Sequence, residues 1–301
     1  MNTIEVRGAV RHYGPVRAVD GVDLAVAPGE ALGLIGHNGA GKTTLFRLML
    51  GLERPTAGTI EIAGIPVLGA RFRDVRRRIG YMPESTSLYP NLTGRETLRF
   101  FARLKGADAA PAEPLLARVG LEHAADRPVR QYSKGMAQRL LFAQALLGSP
   151  RILFLDEPTH GLDPAGVSEF YATLGELRAD GVTVVLTSHV LSEVEQRVDR
   201  LALMSAGRVQ AVGTVQALRD ALDLPLAFDV RVRDAERELR AVLGALAIEP
   251  EVRGERASFR CARGAKVAVL AALASLGNRL VDVNLREPTL EEVFLGYRHA
   301  G

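Results

Sequence analysis

The sequence predicts an α/β domain carrying an inserted helical subdomain, followed by a small α+β domain. Short apolar runs alternate with amphipathic stretches through the first two thirds of the chain, as strands buried between helices do. Leu92 to Leu104, Ala112 to Val119 and Lys134 to Leu147 then read as successive helices without a strong strand among them. Beyond Leu218 the order of strand and helix changes, with a boundary expected at Asp223-Leu224-Pro225. Composition agrees with a globular chain: 301 residues, 47% hydrophobic and 24% charged, which excludes disordered and collagen-like classes.

Taken in order, Ala31 to Ile35 is a short wholly apolar run and predicts a buried strand. Gly36, His37, Asn38, Gly39, Ala40, Gly41, Lys42, Thr43 and Thr44 follow it and lead into the amphipathic stretch from Leu45 to Leu50. That is the G-x-x-x-x-G-K-[ST] pattern in the strand, loop and helix context it requires, so a P-loop NTPase core is expected. The glycines let successive amide N–H groups curl inward, and the helix aims its positive end at the same point. Lys42 is expected to reach the β and γ phosphates, and the Thr43 hydroxyl to ligate Mg²⁺.

The helical insertion is expected over about residues 85–150, with Thr93 capping its first helix and Glu96 three positions on. Arg151 to Leu155 reads as the next strand and ends in Asp156 and Glu157. Carboxylates at the carboxyl end of a buried strand lie where open sheets bind ligands. Asp156 is expected to hold Mg²⁺ and Glu157 to face the water that attacks the γ phosphate. Val182 to Thr187 is a third buried strand, running into Ser188 and His189. The ATPase domain is thus expected over 1–222 and an accessory domain over 226–301. The latter reads strand 227–232, helix 235–246, strand 249–253, a turn at Gly254, strand 257–261, helix 266–276, strand 280–285 and a short helix from Pro288. This βαββαβ order is that of a ferredoxin-like sandwich. A regulatory or dimer-stabilising appendage is expected before a ligand sensor.

Together these motifs, with Tyr132-Ser133-Lys134-Gly135-Met136 and Gly161-Leu162-Asp163-Pro164, resemble the ATP-binding subunit of an ABC transporter from residue 3 to about 218. The resemblance implies ATP with Mg²⁺ as ligands and a separate membrane permease as partner. It makes Tyr13 the aromatic that stacks on adenine and His189 the switch that contacts the γ phosphate. Ser133, Lys134, Gly135 and Met136 would grip the ATP held by a second subunit, and Asp163 would belong to the loop between the two sites. A helix beginning at Lys134 offers its positive end to a phosphate while the loop at Gly36 already has one. A homodimer of ATPase subunits, head-to-tail around two ATP, supplies the second. Within the family, the stretches 36–39, 81–84, 88–106, 123–127 and 132–136 are similar to ATPases of nitrous-oxide-reductase maturation, which drive a membrane partner linked to copper-site assembly. Related exporters of drugs, sodium or polysaccharides share much of this pattern.

Two departures from the family pattern stand out. Glu84 takes the place of the usual glutamine and is expected to offer Mg²⁺ an oxygen ligand. The signature carries Tyr132 for leucine, Lys134 for glycine and Met136 for glutamine. Other classes lack their marks: no heptads sustain a chromosome-type coiled coil, only one phosphate loop occurs, and no N-K-x-D segment reads guanine. The cluster from Arg71 to Arg78 has no interleaved stacking aromatics and is expected to be a solvated helix face, so no nucleic acid is expected as partner. Leu88 and Tyr89 would suit contact with a permease or, equally, packing within the helical subdomain. No apolar run reaches the ~18 residues of a membrane span and Met1 to Val10 lacks a signal peptide, so a cytoplasmic chain, peripheral on the inner face of the membrane, is expected. One cysteine, Cys261, and scattered histidines provide no metal site of their own, and nothing here touches copper. Of the 38 basic residues only Lys42, Lys105, Lys134 and Lys266 are lysines. Two of those four fall in the motifs that meet ATP.

Overall fold

The computed structural model describes residues 2–84, 88–107, 112–222 and 224–300. The chain divides into two compact units, Met1–Thr214 and Val215–Gly301.

In the first unit β1 (Ile4–Tyr13) and β2 (Val16–Val26) form an antiparallel ribbon, and β3 (Ala31–Ile35) leads into α1 (Lys42–Met49). β4 (Ala57–Ile62) and β5 (Ile65–Pro66) extend the ribbon to a sheet of order β2-β1-β4-β5. After α2 (Phe72–Arg76), β6 (Ile79–Met82) begins the far edge of a second sheet. The helices α3 (Gly94–Lys105), α4 (Ala112–Arg118) and α5 (Lys134–Ala145) follow without an intervening strand. Then come β7 (Ile152–Leu155), α6 (Pro164–Ala179), β8 (Thr183–Ser188), α7 (Leu191–Val194), β9 (Arg200–Ser205) and β10 (Arg208–Gly213). The second sheet runs β10-β9-β3-β8-β7-β6, parallel except for β10. Its central strands β3, β7 and β8 are buried at every position, because helices and the first sheet cover both faces.

The core joins the two sheets through α1. Val22, Ile60, Phe46, Phe72 and Phe154 belong to one buried cluster, in which the Phe46 and Phe154 rings meet edge to face at 5.3 Å. The α1 helix is thereby fixed between sheets, and its N-terminus with it. In the helical segment the expected capping box is present: Thr93 accepts from the Glu96 amide, and the Glu96 carboxylate accepts from the Thr93 amide. The chain leaves α3 through Gly106 at φ 65°, the left-handed conformation that closes a helix. Lys105 donates to the Leu147 carbonyl at 2.6 Å, tying the end of α3 to the residue run after α5. Burial pulls its ammonium down to about 8. In the arginine cluster Phe72 is buried and Val75 packs against the core beside it, while Arg76 lies over the Phe72 ring.

The second unit runs α8 (Val215–Ala221), β11 (Leu226–Val232), α9 (Glu236–Gly244), β12 (Glu251–Arg253), β13 (Arg256–Cys261), α10 (Lys266–Ala274), β14 (Leu280–Arg286) and α11 (Leu290–Ala300). Its sheet is antiparallel throughout in the order β12-β13-β11-β14. Alternation along β11 and β13 turns Phe228, Val230, Ala257 and Phe259 toward Leu239, Leu243, Val269 and Leu273 of α9 and α10. Phe228 and Phe259 stack at 5.1 Å, nearly coplanar. The opposite face presents Asp229, Arg231, Arg256 and Ser258. The unit takes in α8, which precedes the expected boundary: Leu218 is buried, and Asp220 pairs with Arg263 at 3.2 Å.

Candidate functional site

The loop between β3 and α1 owes its course to glycine at two points where a side chain has no room. A Cβ on Gly36 would stand 2.4 Å from the Met204 carbonyl oxygen, and one on Gly41 2.2 Å from that of Ala18. Gly41 also sits at φ 104°, and Gly39 at φ 81°. The loop therefore presses against β2 and β9. Lys42 is almost wholly buried; its ammonium donates to the Gly36 carbonyl at 2.6 Å and lies 4.0 Å from Glu157.

Asp156 and Glu157 follow β7 as expected, and their surroundings differ. The Asp156 carboxylate, 1% exposed, accepts from Thr43 at 3.0 Å on one oxygen and from Thr187 at 2.6 Å on the other. Burial raises its pKa, the two hydroxyls oppose that rise, and Glu84 and Glu157 reinforce it. Thr187 also accepts from the Glu157 amide at 2.9 Å, so one buried hydroxyl holds both acidic residues in register. Glu157 occupies the left-handed region at φ 48°, which turns its side chain away from Asp156. Its Oε2 lies 2.7 Å from His189 Nδ1 and accepts from the His189 amide at 3.3 Å.

Asp156, Glu157 and His189 line one cleft of about 830 Å³, together with Tyr13, His37 to Thr44 and Glu84. The structure thus brings together the phosphate loop, both acids, Glu84, His189 and Tyr13. Tyr13 is held at the rim: its hydroxyl donates to Glu53, and the Arg11 guanidinium lies 4.6 Å from its ring centre. Thr43, Asp156 and Glu84 form an all-oxygen donor set of two carboxylates and a hydroxyl, the hard chemistry that suits Mg²⁺. Among the described residues no cluster of three or more acidic, histidine or cysteine side chains could hold a metal unaided. A Mg²⁺ ion here would complete its shell with water and phosphate oxygens, as that ion commonly does.

Ser133, Lys134, Gly135, Met136 and Asp163 do not line this cleft. Ser133 caps α5 by accepting from the Met136 amide at 3.1 Å, and Asp163 caps α6 by accepting from Gly166 at 2.9 Å. The two caps adjoin: a Cβ on Gly161 would meet the Lys134 stem at 2.8 Å. Sequence reasoning did not give roles to Arg17, His160 or Gln138. Arg17 and His160 join the cleft wall. Gln138, on α5 and buried, donates to the Pro158 carbonyl at 3.0 Å and approaches that of Glu157 at 3.4 Å. Its place one helical turn beyond the Ser133 cap was the available signal. The expected permease-facing segment starts at Ser87, outside the described residues; Tyr89 is half exposed, with its ring edge against Phe100.

Comparison with known proteins decides the family. A model described as ABC transporter matches residues 19–160. Over 300 residues the chain is 41% identical to the daunorubicin resistance ATP-binding protein DrrA3 of Streptomyces coeruleorubidus, covering 97% of this chain and 94% of that one. The chain belongs to the ATP-binding subunits of ABC transporters. It is also 39% identical over 298 residues to the Nod factor export ATP-binding protein I of Cupriavidus metallidurans, covering 97% of this chain and 96% of that one. A solved ATP-binding subunit of an ABC transporter superposes with a TM-score of 0.67 at 33% identity, covering 73% of this chain and 92% of that one. A bacterial ABC transporter cassette solved as a dimer gives 0.65 at 26% identity, over 70% and 98%. As a member of this family the ABC ATPase binds ATP with Mg²⁺, hydrolyses it to drive transport, and works as a dimer of cassettes with a membrane permease. No helix among the described residues is long and apolar enough to cross a membrane.

Proposed function

We propose that this ABC ATPase energises an exporter, docking at the inner face of the membrane onto a separate permease. One observation carries the proposal: the identity to a drug-resistance ATPase extends over 97% of the chain, and so takes in the second unit as well as the first. The names of the relatives above speak of drug resistance and Nod factor export, and none of them supports the expected link to copper-site assembly of nitrous-oxide reductase. That link is left as the alternative, with the copper chemistry then wholly in the partners.

In this proposal the amides of residues 36–44 cradle the phosphates and Lys42 bridges the β and γ groups. Thr43, Asp156 and Glu84 would hold Mg²⁺, which would supply charge neutralisation at the phosphates. Glu157 orients and deprotonates the attacking water, and His189 fixes that carboxylate while its ring faces the γ phosphate. The 2.7 Å contact between Glu157 and His189, inside the cleft that holds Lys42, supports this division of labour. Tyr13 stacks on adenine. Ser133 to Met136, with Asp163 beside them, close over the ATP of a second copy in the head-to-tail dimer. Their position outside this chain's own cleft fits that arrangement. The second unit is taken as an accessory domain of the ferredoxin-like kind, supported by its βαββαβ order and the split order of its sheet.

The test is purification of the tagged chain from membranes of its native cell, with identification of the membrane protein that accompanies it. A multi-span permease whose amphiphilic substrate stimulates ATP hydrolysis is the expected result. Recovery with a copper-maturation assembly would overturn the export assignment.

A further inference from the structure

The face of the second unit's sheet turned away from α9 and α10 carries an arrangement that ATP hydrolysis does not use. Along the register Arg253 of β12 stands opposite Arg256 of β13, Arg256 opposite Arg231 of β11, and Arg231 opposite Asp282 of β14. Alternation turns all four outward, since Val230, Val232 and Ala257 between them are buried against the helices. Like charges directly opposite on neighbouring strands destabilise a sheet. Elsewhere on this face arginines are matched, Arg286 with Asp229 at 3.2 Å and Arg260 with Glu292 at 3.6 Å. Among the ion pairs of the described residues, none involves Arg231, Arg253 or Arg256. The three guanidiniums line one depression of about 580 Å³, within the range of small-molecule sites.

We propose that this row binds the phosphoryl group of a small phosphorylated, hydroxyl-bearing molecule. Three planar forks on adjacent strands suit a multivalent oxyanion, because each guanidinium can give two parallel hydrogen bonds to phosphate oxygens. An anion on the row also removes the mutual repulsion of the arginines. The next row along the strands supplies the rest of the specificity: Glu251 faces Ser258, Ser258 faces Asp229, and Asp229 faces Asn284. Two residues along a strand is about 7 Å, so these oxygen acceptors meet hydroxyl or amino donors at that distance from the phosphate. The same acidic row, with Asp282 at the end of the arginine row, repels an extended polyanion. It disfavours nucleic acid and an anionic membrane surface, and favours a free small molecule.

The experiment uses the full chain with its nucleotide cleft saturated with ADP and Mg²⁺, so that the phosphate loop does not contribute. Ribose 5-phosphate is titrated by calorimetry, with ribose as control, against the wild type and against Arg231→Ser and Arg256→Ser. Binding of ribose 5-phosphate but not ribose is expected, weaker by about tenfold in either variant. Arg256→Ser is expected to raise the melting temperature of the second unit without ligand, and ribose 5-phosphate to raise that of the wild type by more than that of either variant. Equal binding by the variants, or no binding of ribose 5-phosphate, overturns the proposal. So does arginine-dependent retention on a single-stranded RNA oligonucleotide or on phosphatidylglycerol vesicles, either of which would give the face to a polyanionic surface.

Discussion

Replacing Thr187 by valine keeps the shape of a residue with no exposure and removes two hydrogen bonds at once. One is the 2.6 Å donation to the Asp156 carboxylate, the other the 2.9 Å acceptance from the Glu157 amide. A hydrogen bond to a charged group contributes ~1.5–3 kcal/mol, and a buried amide left without a partner costs ~1–3 kcal/mol. Thr187→Val should therefore destabilise the first unit by about 3–5 kcal/mol at neutral pH. The penalty should also depend on pH. Asp156 has its folded-state pKa raised by burial, so between the unfolded and folded values the folded chain binds more protons, and its stability falls as pH rises through that window. Loss of the Thr187 donor raises the folded value further and extends the window upward. The gap between variant and wild type should thus widen as pH rises above the ordinary carboxylate range and through the raised folded-state value. Scanning calorimetry across that range, following the transition of the first unit, measures it. A penalty below about 1 kcal/mol, or one unchanged with pH, would refute the assignment of Thr187 as the hydroxyl that opposes the rise in the Asp156 pKa.

Other substitutions separate chemistry from scaffold. Glu157→Gln should bind ATP and accumulate dimers while hydrolysing almost none; rapid turnover in a phosphate-release assay would remove Glu157 from the chemistry. Glu84→Gln should retain ATPase activity, since an amide oxygen remains for Mg²⁺, and an inactive but folded variant would show that the carboxylate itself is required. Gln138→Leu strands the carbonyl beyond Glu157 and should lower kcat at nearly constant KM for ATP, a split that a change in nucleotide binding would reverse. Lys105 titrates near 8 in the fold and higher when unfolded, so its charge is destabilising at neutral pH and this cost fades as pH rises above about 8. Lys105→Met should therefore be the more stable at pH 7, with its advantage shrinking in melts at higher pH.

The parallel core was legible because each strand is an unbroken apolar run: Ala31 to Ile35 was bounded to the residue, and the runs before Asp156 and Ser188 nearly so. Covered on both faces, such strands leave no polar positions to blur them. The phosphate loop was legible for another reason, since its glycines answer to backbone clearances that no other residue satisfies. The second unit could be read from alternation, and its elements fall within a few residues of expectation. Thr187 was visible only as a neighbour of His189. Its bridge between two acids joins strands paired through space, which spacing along the chain does not encode. Likewise the clasp of Arg11 and Glu53 on Tyr13 depends on the approach of β1 to the segment after α1, and the facing of Arg231 and Arg256 on strand register.

The left-handed backbone at Glu157 bears on how such a chain changes over generations. A non-glycine residue there costs roughly 1–2 kcal/mol, and the carboxylate is nearly buried besides. A single nucleotide change converts glutamate to glycine, the one residue for which this conformation is unstrained. On the proposed division of labour, the mutation that removes the water-activating carboxylate is thus also one that relaxes the backbone. Duplicated copies freed from selection should drift toward durable, inert cassettes that still clamp nucleotide, and the retention of glutamate is itself a mark of continued work.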